Sequence, residues 1–460
     1  MTDSSQFLPN QQGITSDLFY NLKPSSASSR SYRCSIPTSN KSVFSPNDTA
    51  IAYIPARRNC FLDTTQSYIK YTIKNNETTV GNTFKLDNNG ASVLNRLDVF
   101  HGSNLLESVQ QYNALYTYLL DNQLTFAQRM GLSGMYGTSP TVGTQASTRQ
   151  GQQIAINGNQ LTVCMPILSG VVGALSDKML PLNLADDIRL EFTFESNNAG
   201  VVYTAGPAAG VQWSVLGVEL ELQIVELGES GMAMIDSVTP LSQPLFLHGT
   251  SYRHYVSSLP SGTAGSYSTL VPARFASLKN LICLPRRSTE ITSATSYSTS
   301  SRVNPNIASY WWRVGSLIIP QKYVQLSGNS VGGYSEAFAE IQKSFHALNH
   351  AEYAGSVGWM VYNVADAADV TIGDGGTSSS VLALSTGADS YKNGFAIATE
   401  LEAFAQRNDT ILSGINTLGS QVFFEFNSNG TGTGQAYTLD FYGCFDQILI
   451  LADGLLSIKF

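Results

Sequence analysis

The same succession of elements runs through this chain twice, and few folds accommodate that. In the first half, "VLNRLDVFHGSNLLESV" (93–109) reads as a hairpin turning at Gly102-Ser103-Asn104. Tyr112, Leu115, Tyr116 and Leu119 follow at the spacing of an amphipathic helix face. A strand is expected at 154–164. Then Ile188, Leu190, Phe192 and Phe194 alternate with Arg189, Glu191, Thr193 and Glu195, as in a strand buried on one face only. "GVELELQIVEL" (217–227) closes the half with a second alternating face. In the second half, "YWWRVGSLIIPQKYVQL" (310–326) takes the place of the hairpin. Tyr334, Phe338, Ile341, Phe345 and Leu348 take that of the helix, and "GFAIATELEAF" (394–404) that of the strand at 154–164. "SGINTLGSQVFFEFNSN" (413–429) matches "SGVVGALSDKMLPLNLADDIRLEFTFESN" (169–197), and "YTLDFYGCFDQILIL" (437–451) is the closing strand.

The spacing of the copies locates their difference. The helix-opening tyrosines are 222 residues apart and the two Ser-Gly pairs 244, so the second copy is expected to carry about 22 extra residues. They are placed near 350–393, where "DVTIGDGGTSSSVLALSTGADS" reads as a long loop. "SDKMLPLNLADD" (176–187) has no counterpart in 413–429. It reads as a longer connection peculiar to the first copy, suited to contacts rather than catalysis. Earlier strands are expected in "TAIAYIPA" (49–56), "SYIKYTIKN" (67–75), "TSYRHYV" (250–256) and "FASLKNLICL" (275–284). Two copies of a β unit of about 200 residues explain the chain better than three unrelated domains. About eight strands per copy predict an all-β fold of two tandem eight-stranded jelly rolls, each with an inserted amphipathic helix and loop insertions. The expected division is an extended N-terminal arm at 1–45, a first jelly roll at 46–230 and a second at 231–460.

Composition narrows the function. Charged residues make up 13% of the chain, about half the usual ~25%. So little charge covers a large free surface poorly, and much of the outside is expected to be buried against partners. The net charge of −8 speaks against a nucleic-acid-coating role, since phosphate neutralisation needs Lys and Arg. The arm carries Asp3, Asp17, Lys23, Arg30, Arg33 and Lys41, too sparse for a DNA-binding tail. It is expected to order against neighbours. Cys34, Cys60, Cys164, Cys283 and Cys444 form no CxxC or Cys/His cluster, so free thiols in a reducing compartment are expected. The N-terminus shows neither a basic nor an apolar signal segment, and no apolar run reaches the length of a membrane span.

No catalytic constellation emerges. His346 and His350 stand four apart, yet "HALNH" lacks the glutamate of a zincin and a third ligand. His248 and His254 can share a strand face, but the pattern of a cupin-like metal site is absent. Asp186 and Asp187, adjacent on a strand, point to opposite faces and cannot act as paired acids, so they read as turn chemistry. "GDGGTSSS" (373–380) has glycines but no lysine and reads as a loop. No cofactor or metal is expected, and no enzymatic activity. Six residues are candidates for contacts between subunits: Arg57, Arg58, Arg286 and Arg287 as basic pairs at strand ends, and Trp311 and Trp312, of which alternation sends one into the core.

"LNRLDVFHGSNLLESVQQYNALYTYLLD" (94–121), "SGVVGALSDKMLPLNLADDIRLEFTFES" (169–196), "SLIIPQKYVQLSGNSVGGYSEAFAEIQKSFHAL" (316–348) and the closing "FDQILIL" carry a resemblance of order and style. Over roughly 45–455 the chain resembles the double jelly-roll major capsid proteins of icosahedral double-stranded DNA viruses. It is most similar to the polinton-like virus and virophage side, with adenovirus hexon as a distant relative. The resemblance implies a structural protein of the virion capsid, synthesised and assembled inside the host cell. Homotrimers would form pseudo-hexameric capsomers that meet one another and minor capsid and penton proteins, with room for an internal membrane and no sequence-specific nucleic-acid binding. The alternative is a carbohydrate- or receptor-binding β-sandwich of a fibre or spike, suggested by Trp311, Trp312 and the 22 tyrosines.

Overall fold

The computed structural model describes the chain except residues 1–27, 141–148, 206–211, 239–242, 263, 327–333, 349–354, 358, 363–369, 374–378, 383–386, 404–410 and 431–434. Sixteen strands carry the architecture. In the first half they are β1 (Ser29–Pro37), β2 (Thr49–Ile54), β3 (Cys60–Asn75), β4 (Leu94–His101), β5 (Asn104–Gln110), β6 (Gln160–Pro166), β7 (Ile188–Phe194) and β8 (Trp213–Leu227). Helix α1 (Tyr112–Gln123) lies between β5 and β6. Helix α2 (Glu229–Val238) leads to the second half, with β9 (Leu245–Leu259), β10 (Gly265–Val271), β11 (Leu278–Arg287), β12 (Ile307–Val314) and β13 (Leu317–Gln325). After helix α3 (Ser335–Ser344) come β14 (Ile397–Glu400), β15 (Val422–Ser428), β16 (Tyr437–Ala452) and β17 (Leu455–Lys459).

The sheets run β1-β8-β3-β6 and β2-β7-β4-β5 in the first half, and β9-β16-β11-β14 and β10-β15-β12-β13 in the second. Each strand of the second half occupies the place of the strand eight before it. These are two jelly rolls, each an eight-stranded pair of antiparallel sheets. β17 is an addition that pairs with β16. Both copies turn their hairpin at a Gly-Ser dipeptide, with Gly102 and Gly315 at φ of 57° and 59°, the left-handed backbone a two-residue hairpin loop requires.

The strand alternation holds in detail. Ile188, Leu190, Phe192 and Phe194 are buried, while Arg189, Glu191 and Thr193 are half-exposed. Glu195 departs from the expectation. The register shifts between Thr193 and Phe194, and Glu195 turns inward to accept from Asn95 Nδ2 (2.6 Å) and Asn113 Nδ2 (2.9 Å). Trp312 is fully buried, with Phe424 and Phe441 at ring distances of 4.7 and 5.9 Å, and Trp311 lies on the opposite face.

Other expectations are corrected. From Ser29 the stretch assigned to the arm is β1, in register with β8 from Ser29↔Leu227 to Pro37↔Glu219. Its outer positions are polar and its inner Tyr32, Cys34 and Ile36 only half-buried, so an edge strand looks like a tail in sequence. The strand at 154–164 divides into Gln153–Ile154 and Gln160–Pro166, with a turn at Asn157-Gly158. The 369–390 loop contains a hairpin, Val370–Gly373 with Ser379–Leu382, while residues 374–378 of "GDGGTSSS" lie outside the described residues. The Ser-Gly pairs are not equivalent. Ser169 follows β6 closely, whereas Ser413 stands well past β14. The β6–β7 and β14–β15 connections, 167–187 and 401–421, are both 21 residues long. "SDKMLPLNLADD" therefore differs from its counterpart in course, not in length.

Truncating the inner row of β7 tests the core. Leu190→Ala, at 0% exposure, is expected to cost about 2–5 kcal/mol in urea unfolding, while Thr193→Ala on the other face stays within about 0.5 kcal/mol.

Candidate functional site: the junction between the jelly rolls and the exposed surfaces

The densest polar chemistry in the chain lies where the two jelly rolls meet. α1 was expected to show one apolar face. Instead every residue from Tyr112 to Asp121 is buried: Asn113 and Thr117 bond Glu195 and Asn89 of their own half, and Asp121 bonds Arg302 of the second jelly roll. Asp121, near its end, is fully buried and bonds Arg129 (2.7 Å) and Arg149 (3.0 Å) of its own half and Arg302 of the other (2.6 Å), all three fully buried. Burial alone raises the Asp121 acid, but Arg149, Arg302 and Arg129 outweigh it and hold the carboxyl well below the usual range. Arg149 also donates to the carbonyls of Ser300 and Tyr391, Arg302 to that of Phe395, and Arg129 to Asn88 Oδ1. Asp87, also buried, accepts from Ser300 Oγ (2.6 Å) and the Thr299 and Ser300 amides.

Further contacts extend this seam. Gln111 accepts from Arg286 Nη2 (3.2 Å) through its side chain and from the Tyr442 hydroxyl (2.9 Å) through its carbonyl. Glu107 on β5 takes bonds from Ser251 Oγ on β9, Ser169 Oγ and the Gly170 amide; burial raises its acid. A side chain at Gly170 is excluded, since a Cβ there would meet Gln447 Nε2 at 2.2 Å and the Thr250 carbonyl at 2.5 Å. "SDKMLPLNLADD" works here. Ser176 bridges to Gly249, the Asp177 amide donates to the His248 carbonyl (3.1 Å), and the Ala185 amide to that of Gly454 (2.9 Å). Asp187 accepts from the Ala56 amide (2.9 Å), 131 residues earlier, a backbone bond to a distant segment and not the local turn bond expected of the Asp pair. His248 is clamped between Asp446 (2.9 Å) and Asp177 (2.6 Å). The hydrogen bond to Asp446, aided by Asp177 against partial burial, raises its pKa.

The six candidate contact residues separate. Arg286 is buried on Asp440 (2.7 Å) and the Ser298 carbonyl (3.0 Å), and Trp312 is a core residue. The interface expectation is corrected for both, because their side chains are spent inside the chain. Arg57 is half-buried against the Tyr32 hydroxyl (3.3 Å), Arg58 is exposed, and Arg287 is half-buried, 3.9 Å from Glu290. Trp311 donates to Glu425 (2.6 Å) and lies 6.1 Å from the ring of exposed Tyr323, tilted by 51°.

Two features escaped the sequence. His346, whose partner His350 lies outside the described residues, sits with Glu400 and Glu402. Lys279 bonds Glu402 at 2.9 Å and supplies the positive charge this cluster calls for. Burial pushes Glu400 up to about 7; it also raises Glu402, but His346, Lys279 and Ser413 outweigh it and hold that carboxyl at about 2. The second is a repeated surface row. Tyr53, Arg189, Phe100 and Leu105 are cross-strand neighbours, as are Leu270, Phe423, Arg313 and Ile318 at the equivalent positions. The guanidinium lies 4.3 Å from the phenyl centroid in both, with the two partners exchanged between strands. Finding either needed the pairing register. A cleft of about 380 Å³ beside α1 is lined by apolar side chains with Tyr116, Tyr136 and Gln123.

Replacing the carboxylate at the seam tests it. Asp121→Asn leaves three buried guanidiniums short of their counter-charge and is expected to cost about 3–5 kcal/mol in chemical denaturation. His248→Gln probes the clamp. A raised folded-state pKa contributes stability fully below the unfolded value near 6.5 and loses it as pH rises through the folded value. The melting-temperature gap between wild type and variant should therefore be widest in mild acid and close in alkali.

No family model and no curated protein matches the sequence. Among solved structures the chain is similar to PBCV-1 VP54, fitted into a reconstruction of the virophage Sputnik, with a TM-score of 0.60 and 10% identity over 96% of this chain and 99% of that one. It is similar to a chain of the Sputnik virophage structure (0.59, 11%, 97% and 92%) and to the mavirus major capsid protein (0.51, 10%, 98% and 94%). The shared feature is the double jelly roll over nearly the whole length of each chain.

Proposed function

We propose that this chain is the major capsid protein of an icosahedral virus, acting by assembly and not by catalysis. The observation that carries the reading is the fold taken whole: two jelly rolls of identical strand order, fixed side by side by a buried seam, matching PBCV-1 VP54 and the mavirus major capsid protein end to end. On this reading the domains are a first jelly roll from β1 to residue 230, preceded by the arm, and a second jelly roll from 231. Three copies place six jelly rolls in a ring, a pseudo-hexameric capsomer, and capsomers then meet one another and minor capsid proteins. The non-catalytic reading is supported by how the acids are used: Asp121, Asp440 and Asp446 are each committed to Arg, His or Lys partners within the chain. Exposed Arg58 and half-exposed Arg57, Arg287 and Trp311 remain the proposed contact residues from the sequence.

Light scattering on purified protein tests assembly. A mass three times the 49.6 kDa chain, with hexagonal particles in electron micrographs, is expected. A stable monomer at micromolar concentration would sink the capsid reading.

A further inference from the structure

The duplication gives every surface of one jelly roll an equivalent on the other, and one equivalent pair is treated differently. In the first jelly roll, edge strand β5 and helix α1 face the second jelly roll of the same chain. Ser251 of β9 bonds Glu107, and both the Asn104 side chain and the His101 ring bond the backbone of Leu456. Near the end of α1, Tyr118 packs on Phe345 and Asp121 bonds Arg302, and the helix is buried from Tyr112 to Asp121.

In the second jelly roll, β13 and α3 hold the same places, but nothing in the chain's described residues covers them in that way. β13 is the edge of its sheet, with Leu317, Ile318 and Tyr323 at 44–48% exposure and Gln321 and Lys322 exposed as well. α3 buries Ala337, Ile341 and Ser344, while Ser335, Glu336 and Lys343 remain exposed. An uncovered edge strand offers unpaired backbone groups to another chain.

The intrachain seam shows what fits there. The covering element is β9, and its equivalent in the first jelly roll is β1, also an exposed edge strand at the same place in the sheet order. We infer that the β13–α3 edge of the second jelly roll is the docking surface for the β1 edge of the first jelly roll of another copy of this chain. The inference rests on the capsid reading and specifies its contact. Such a head-to-tail contact leaves one edge free at each end of an open oligomer, and it is fully used only when the rotation between copies closes a ring. Alternating intrachain and interchain seams around three copies achieve this.

Two full-length variants test it. Gln321→Lys with Tyr323→Lys puts a lysine run on β13, which already has Lys322, opposite a β1 that carries Arg30 and Arg33. Ser31→Lys with Ser35→Lys does the same to β1. Circular dichroism and melting check that each remains folded. Each variant alone is expected to be a monomer in light scattering, because every contact needs one sound edge of each kind. Mixed in equal amounts, they are expected to form a dimer that stops there, β1 of the first variant on β13 of the second. If either variant alone remains trimeric while wild type is trimeric, this surface is wrong and the capsid reading stands; that is the outcome if the chain's own residues 1–27 cover the edge. Dimers of the β1 variant alone, joined β13 to β13, also overturn it. A monomeric wild type overturns both.

Discussion

Everything about how the two halves sit together depends on Asp121 and the three arginines around it. Two jelly rolls joined by α2 and its following residues have many ways to lie against each other. Apolar packing alone discriminates poorly among them, because hydrophobic attraction has no direction. A carboxylate shared among Arg129, Arg149 and Arg302, two from one half and one from the other, is satisfied in one relative position. The arrangement is not an obvious gain in stability, since desolvating ions often costs as much as their attraction returns. What it supplies is a penalty for every misplacement: if the halves slide, buried guanidiniums lose their counter-charge. Gly170 and Gly249 add steric definition, because their backbones meet too closely for any side chain.

Much of the fold was legible because alternation is a local signal. The inner row of β7, the hairpin turning at Gly102 and both helices follow from residues within a few positions of one another. The misreadings share one physical cause: they concern surfaces whose burial is decided by a distant part of the chain. α1 looks amphipathic, yet Asn113, Thr117 and Asp121 are buried, because Glu195 and Asn89, distant in the same half, take up the first two and Arg302 of the second jelly roll takes up the third. β1 looks like a tail because an edge strand needs only a weak apolar row. Arg286 looks like a surface cation until Asp440, 154 residues later, is placed beside it. The Ser-Gly match failed for a different reason: two short motifs of common residues recurred without structural equivalence, whereas the register of β7 and β15 is the true correspondence.

Duplication also shows which surface features the fold tolerates and which it repeats. The Arg–Phe pair on the outer sheets recurs at equivalent positions with the residues exchanged: Arg189 on β7 over Phe100 on β4, then Arg313 on β12 over Phe423 on β15. Glu191 and Glu425, at equivalent positions on β7 and β15, hold the two arginines, the first from the arginine's own strand and the second from the strand beside it. A cation lying on an aromatic face depends on their separation and not on which strand supplies which. Either arrangement keeps a phenyl ring shielded on an outward surface while leaving its edge available.

The scarcity of charge takes on a sharper meaning once the residues are placed. Of the chain's 60 Lys, Arg, Asp and Glu, at least 14 are buried: ten acids and four arginines. Those buried groups carry six of the eight net negative charges, so the rest of the chain is close to neutral in sum. A protein whose surface carries little net charge has weak electrostatic self-repulsion, and that repulsion is what ordinarily keeps subunits apart. Some of the buried ions fix the two jelly rolls relative to one another, as Asp121 does with Arg302, and others, such as Asp440 with Arg286, tie strands within one jelly roll.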